Sequence, residues 1–592
     1  MMPVYTADQV RRAERPLLDT QTSVDELMRN AASAVAKVAR EFLGPVRLNP
    51  RRIVLLVGSG GNGGDALYAG VELLHEGYRV SAVLCSKNPH QPAVDAFTTA
   101  GGNIVGPMLL HASDCALAID GIVGLGCSGA LRADSARIVA SLEQAEVPFI
   151  AVDVPSGVVA DTGGTGAEGA EGLVTHVTAE TTVTFGGLRR AHAISPACGR
   201  VVVADIGVTD STRPTLSQEL ARVAAADIAA AKQPALSMIK GLQDAVAVPR
   251  LQPYPSDDKY SGGVVGICAG SETYPGAGVL TATAAVRATS SMVRAVGPCV
   301  PEIIRALPEV VGADSINNCG RVQAWVVGPG RGSGWLVREE LVTVLSSAEP
   351  ALLDADALTM LAEETRVLDT LRERNAAGQL TVLTPHVGEF RRLAAAIADA
   401  ENTPNPMCPG TKAASTAGEG DQDAVPDPRA DDPVAAEPAG NDPVGEPENT
   451  APPTHPAIAD PEVDRLSAAL GLAAELGCVV LLKGHATIIA EPPAPKTPAG
   501  KATIVESGSY WAATPGSGDV LAGLIGAWLA HTPHPSIIAV AATIHATAAE
   551  LSARTPAGPA PTSASLIANA IREATAEVAG RNKQDWLRAM AQ

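Results

Sequence analysis

Short, mainly apolar runs recur along this chain, and most of them end in a turn rich in Gly or Asp. In the first half they are Ile53–Val57, Arg79–Leu84, Cys115–Asp120, Val147–Asp153 and Val201–Gly207; in the second, Val264–Ala269, Ala324–Val327, Ala351–Leu353, Leu380–Leu383 and Cys478–Leu482. Such runs mark strands buried on both faces of a parallel sheet. Helical stretches lie between them, so repeated βα units build doubly wound α/β layers whose ligands sit at the carboxyl ends of the strands. The fold class is α/β with two doubly wound domains. Before the first run, Thr6 is placed to cap a helix from Ala7, and Ser23-Val24-Asp25-Glu26 reads as a capping box for a second.

Composition refines this outline. A chain of 592 residues is too long for one core, and with 46% hydrophobic but only 3% aromatic residues its cores are built of Ala, Val and Leu. Residues 1–210 are assigned to the first domain, 211–257 to a linker or helical connection, and 258–398 with 465–592 to the second. Between them, 399–464 holds fifteen Asp/Glu against Lys412 and Arg429 and no Phe, Trp or Tyr, which predicts a disordered acidic, Pro-rich insertion. It carries thirteen of the twenty net negative charges, so acidity is not a property of the sites. That balance argues against nucleic acid or an anionic membrane as partner. Apolar helices such as Val520–Ala530 fall short of the ~20 residues of a membrane span, no signal peptide is read at the N-terminus, and nine scattered cysteines suit a reducing compartment. A cytoplasmic, homo-oligomeric protein is expected.

The candidate chemistry lies in the turns. Ala513-Thr514-Pro515-Gly516-Ser517-Gly518-Asp519 opens directly onto an apolar helix, whose unpaired N–H groups form an anion hole; Asp519 in the first turn is favoured by the dipole and expected to be ionised, ready to take a proton. Alone, this is a loop with an N-cap. Asp354 and Asp356, His386 with Glu389, and Lys483 all fall at strand ends or helix starts of the same sheet, which makes a nucleotide site the better reading. In the first half, Gly58, Gly60 and Gly63 match a dinucleotide fingerprint, but Ser86 and Lys87 stand where a ribose-gripping acid belongs, so a dehydrogenase reading loses ground. Asn62, Asp65, Asp120 and Asp153 instead bring oxygen atoms to one rim.

Gly60-Gly61-Asn62-Gly63-Gly64-Asp65, Asp120-Gly121-Ile122-Val123-Gly124-Leu125-Gly126, Val152-Asp153-Val154-Pro155-Ser156-Gly157 and Thr182–Gly186 together resemble the YjeF N-terminal family, the NAD(P)H-hydrate epimerases, with a Rossmann-like fold. The resemblance implies K⁺ on Asn62, Asp120 and Ser156. It also implies hydrate contacts from Gly61, Asn62, Gly63, Gly64 and Asp65, from Gly124, Leu125, Gly126, Cys127, Ser128, Gly129 and Ala130, and from Asp153 as acid/base. Gly61 stands where the family usually has Asn, and Ala66 where it has Gly. Lys259–Gly263, Tyr274–Ala277, Gly328–Gly330, Asp354–Leu358, Thr384–Glu389, Lys483–Thr487 and Gly516–Asp519 resemble the ribokinase-like NAD(P)H-hydrate dehydratases, the YjeF C-terminal family. This second likeness implies ADP, with ATP as alternative donor, on Lys483, Gly484, His485, Ala486, Thr487 and Gly518, assisted by Mg²⁺. It implies NADH or NADPH hydrate lined by Ala277, Gly330, His386 and Asp519, with Asp519 catalytic. Two rivals remain at this point: an ATP-dependent kinase of a vitamin precursor or sugar, and a first domain that binds without catalysis.

Overall fold

The apolar runs become strands because residues buried on both faces find partners above and below the sheet as well as beside it. The computed structural model describes residues 1–45, 52–166, 173–210, 212–244, 246–402 and 458–591. Its strands in the first half are β1 (Met2–Tyr5), β2 (Arg52–Val57), β3 (Val80–Leu84), β4 (Asn103–Ile104), β5 (Cys115–Gly121), β6 (Phe149–Val152), β7 (Thr181–Phe185), β8 (Leu188–Arg189) and β9 (Arg200–Ala204). The second half contributes β10 (Ala235–Lys240), β11 (Val264–Cys268), β12 (Met292–Val296), β13 (Val311–Ala313), β14 (Ala324–Val327), β15 (Ala351–Leu353), β16 (Thr381–Leu383), β17 (Val479–Leu482), β18 (Ala486–Glu491) and β19 (Lys501–Glu506).

Seven strands form the first sheet, all parallel, in the order β4-β3-β2-β5-β6-β7-β9. The second sheet has twelve, in the order β13-β12-β11-β14-β15-β16-β17-β18-β19-β10-β1-β8. Two large apolar clusters cover its opposite faces. Its most crowded helix pair is Ser517–His531 against Pro275–Thr289, where a Cβ on Gly523 would lie 2.0 Å from the Thr281 carbonyl oxygen. Glycine permits that approach, and the approach places the Gly516–Asp519 turn beside the helix that carries Ala277.

Several expectations need correction. The connection 211–257 holds a helix as expected, Leu216–Ala229, which packs on helix Ala7–Leu18, but it also holds a strand, β10, which pairs in parallel with β19. The N-terminal strand β1 belongs to the second sheet, antiparallel to β10 and parallel to β8. One sheet therefore stitches the two halves together. The Thr6 cap forms as a capping box with Gln9. Ser23 does not cap the next helix: Asp25 precedes it in the left-handed region without a side-chain capping bond, and Glu26 instead accepts from the N–H groups of Thr22 (2.7 Å) and Thr209 (2.5 Å). Helix Ser536–Ala553 has the length and composition to cross a membrane, yet 72% of it is buried inside the molecule. Most of 399–464 lies outside the described residues. Its ends do not: helix Val387–Asn402 enters it, and Asp464 caps helix Arg465–Leu476 through the Ser467 N–H at 3.0 Å.

Candidate active sites

The first site is a cavity of about 710 Å³ at the carboxyl ends of β2, β5 and β6. Gly61, Asn62, Asp65, Asp153 and the loop Gly124 to Ala130 line it, with Arg11 and Glu14 from helix Ala7–Leu18. Gly63 and Gly64, expected at the substrate, serve packing: a Cβ on Gly63 would sit 2.4 Å from the Gly58 oxygen, and one on Gly64 2.4 Å from the Met28 sulfur. Asp153 has a positive φ of 64°, a conformation costly for a residue with a Cβ and held here by its surroundings. Its Oδ1 accepts from Thr184 Oγ1 at 2.9 Å and meets the buried Arg189 guanidinium at 3.0 Å, while its carbonyl faces His192 Nε2 at 2.6 Å. Arg189 ends β8, the strand that joins the second sheet, and His192 lies in the short helix Arg190–Ile194 that follows it.

Behind this wall Asp120 and Ser156 are fully enclosed. Ser156 donates its hydroxyl (2.7 Å) and its N–H (2.8 Å) to the Asp120 carboxylate, and Ser156 Oγ also lies 3.0 Å from the Val123 carbonyl. Asn62 donates to the Val152 carbonyl at 2.5 Å, tying the glycine loop to the same knot. Burial pushes Asp120 up to about 6 against the pull of the Ser156 and Ile122 donors. No Lys or Arg pairs with Asp120 among the described residues. A buried carboxylate beside hydroxyl and carbonyl oxygens, without a counter-ion of its own, fits a monovalent cation.

The second site is a cavity of about 660 Å³ bounded by Lys483, Gly484, His485 and Thr487 on one side and by Thr514, Pro515, Ser517 and Gly518 on the other. Ala486 opens β18 and lies buried behind it. The rings of His485 and Tyr510 stack with centroids 4.9 Å apart, giving a flat aromatic pair at the cavity. Lys483 Nζ bonds Asp354 Oδ1 at 2.7 Å and lies 3.8 Å from Glu389. Burial alone lowers the pKa of Lys483, but Asp354, Glu389 and Asp519 outweigh it and raise the value. Glu389 lies 3.4 Å from His386, Gly330 abuts Ala277, and Gly516 approaches both Leu280 and the Asp519 carboxylate. Burial, then Asp354, pushes Asp519 up to about 6, higher than the helix dipole alone led us to expect, so it is ionised at neutral pH but not in mild acid. Among the described residues no group of three or more His, Cys, Asp or Glu is arranged to hold a metal ion. Mg²⁺ would therefore come with phosphates and one or two carboxylates, the usual manner for that ion.

Sequence reading missed Glu14, Arg189 and His192 in the first site and Tyr510, Ser507 and His545 in the second. A scarce aromatic beside Ser507-Gly508-Ser509 was the available signal for Tyr510. Arg189 and His192 offered none, because only the return of β8 to β1 brings them to Asp153.

Comparison with known proteins agrees with both halves. Residues 24–191 match the family model described as YjeF-related protein N-terminus, and residues 265–415 and 455–572 match NAD(P)H-hydrate dehydratase. The bifunctional NAD(P)H-hydrate repair enzyme Nnr of Corynebacterium glutamicum is 41% identical over 98% of this chain and 99% of its own. That of Mycobacterium tuberculosis is 39% identical over 90% of this chain and 89% of its own. An NAD(P)H-hydrate epimerase of Microbacterium testaceum is 38% identical over 34% of this chain and 78% of its own. The small-molecule kinase reading is not favoured by these relatives. With two such models in one chain and near-complete coverage by relatives that carry both, the chain belongs to the family of bifunctional NAD(P)H-hydrate repair enzymes, an epimerase followed by a dehydratase.

Proposed function

We propose that the second domain dehydrates the S form of NADH or NADPH hydrate with ADP as phosphoryl donor, yielding the reduced cofactor, AMP and phosphate. The placement of Asp519 carries this reading: it stands in the first turn of helix Ser517–His531, one residue after the Gly518 edge of the cavity and within the electrostatic reach of Lys483. Hydroxide is a poor leaving group, so the C6 hydroxyl is phosphorylated first. Asp519 takes its proton as it attacks the terminal phosphate, and the ring nitrogen lone pair then expels phosphate. The Gly518 N–H at the head of the helix receives the charge that develops, Lys483 neutralises it, and the His485–Tyr510 pair offers the adenine a stacking face. Ala277, Gly330 and His386 line the hydrate. Mg²⁺, when bound, spreads phosphate charge; Asp354, Asp356 and Asp519 are the carboxylates within reach of that role.

Only one C6 epimer can present its hydroxyl to both Asp519 and the donor. The first domain removes that limit by interconverting the R and S forms, with Asp153 as acid/base and K⁺ held by Asn62, Asp120, Ser156 and the Val123 carbonyl to brace the loops. Cys85, Cys127, Cys198, Cys268, Cys299, Cys319 and Cys478 are free thiols, which suits a cytoplasmic enzyme. The test follows the near-ultraviolet absorbance of reduced nicotinamide while mixed R/S NADH hydrate is incubated with the protein, ADP and Mg²⁺. Full recovery of NADH faster than spontaneous epimerisation is expected. A stop near half conversion removes the epimerase, and no recovery removes the dehydratase.

A further inference from the structure

Arg11 and Glu14 are three residues apart on helix Ala7–Leu18 and so share one face. Arg11 donates to the Leu125 carbonyl at 2.9 Å, which holds the Gly124–Ala130 loop against the helix, and Glu14 reaches the same 710 Å³ cavity that Asp65 and Asp153 line. The three carboxyl groups differ in what holds them. Asp153 is ion-paired with Arg189 and bonded by Thr184. Glu14 and Asp65 have neither hydrogen bond nor ion pair among the described residues, although Asp65 is only 8% exposed. A buried carboxyl group such as Asp65 is costly without a partner unless it carries a proton or meets a ligand, and the half-buried Glu14 faces the same cavity.

We propose that Glu14 is the second acid/base of the epimerase site, working with Asp153 to take water from C6 of the hydrate on one face and return it on the other. The inference rests on the first half being an epimerase. Glu14 gives its proton to the C6 hydroxyl, the C6–O bond breaks, and water leaves as the N1 lone pair forms a C6–N1 double bond. Water then attacks C6 from the opposite face, the double-bond electrons return to N1, and Asp153 takes the proton of that water. The reverse direction uses the same two groups in exchanged roles. One water leaves and one enters, with no oxidant or reductant. Glu14 suits the part because burial, then the charge of Asp153, pushes it up to about 7 against Arg189 and Arg11, so both of its states are populated at neutral pH. Burial, then the neighbouring Asp153 and Glu14 carboxylates, raises the pKa of Asp65 well above the ordinary range.

The experiment uses the full chain without ADP, so that the dehydratase is silent, and purified R-NADH hydrate in H₂¹⁸O, with the epimers separated by chromatography. Each R-to-S conversion should acquire solvent oxygen at C6. Glu14→Gln should slow the conversion about 100-fold, the ordinary contribution of a general acid, and Glu14→Asp should restore part of it. With ADP and Mg²⁺ added, Glu14→Gln should still dehydrate S-hydrate at the rate of the unaltered protein, which shows that the chain has folded. Conversion with the original oxygen retained, as ring opening at the C6–N1 bond would give, overturns the proposal, and so does a Glu14→Gln protein that epimerises normally. If the unaltered protein does not epimerise, the epimerase reading itself falls.

Discussion

Asp519 can take a proton only while ionised, and burial has brought its pKa up to about 6. Dehydration should therefore fall as pH drops through that value, and Asp519→Asn should cost about 10²–10⁴-fold in turnover while leaving epimerisation intact; rates of NADH recovery from S-hydrate between pH 5 and 8 would check both. Arg189 faces a different constraint. It is 1% exposed and balances Asp153 while donating to the Gly187 carbonyl at 2.8 Å. Arg189→Met would leave a buried carboxylate unpaired, so a loss of about 3–5 kcal/mol is expected, together with loss of epimerase activity; urea unfolding with an R-to-S assay measures the two separately. At this scale the positions of Asp153, Lys483 and His386 after strands, and of Asp519 in the first turn of its helix, were legible in the sequence because glycine turns and helix starts are local patterns. Glu14 was not: on an amphipathic helix a glutamate looks like a solvated charge, and only the fold brings it to the cavity that Asp65 and Asp153 line.

Elements in this protein are placed as much by what is missing from a side chain as by what is present. Gly523 lets helix Ser517–His531 touch helix Pro275–Thr289, and the site turn depends on that contact. Gly523→Ala would drive a Cβ into the Thr281 backbone. A loss of about 3 kcal/mol, the upper part of the usual overpacking range, is expected. Gly580→Ala, on an exposed turn of helix Ala564–Ala591 with open space around it, should instead gain about 0.5–1 kcal/mol from helix propensity. Melting temperatures of the two variants should move in opposite directions. Strands β6, β14, β15 and β17 were readable because each is apolar throughout, whereas the parallel strands β7 (Thr181–Phe185) and β12 (Met292–Val296) carry Thr or Arg and were not among the apolar runs. β1 and β10 were not, since Met2–Tyr5 and Ala235–Lys240 hold only part-buried residues at several positions and become strands by pairing with each other and with β19.

For the whole molecule, two histidines set a limit on acid stability. His192 and His545 are buried and neutral, and burial lowers both to about 4. Unfolded histidine titrates near 6.5, so their contribution is complete above that pH and is lost as pH falls from about 6.5 toward 4, up to about 3 kcal/mol each. Asp120 and Asp519, raised to about 6, act in the opposite sense: their protonated forms favour the fold below about 4, and that contribution is lost as pH rises through 6. His545→Gln should keep a polar contact to Ser517 and flatten the decline; urea midpoints at pH 7 and pH 5 would show a smaller difference than in the unaltered protein. By itself the sequence determined the two βα-repeating halves, the turns that carry chemistry and the family they resemble, because apolar runs, glycine turns and N-caps act over a few residues. Only the tertiary structure decided that β1, β10 and β8 join both halves in one sheet, that Arg189 and His192 reach Asp153, and that Glu14 enters the cavity. Those relations join residues far apart in the chain, and burial, which gives a carboxyl or an imidazole its working pKa, exists only after the chain has closed around it.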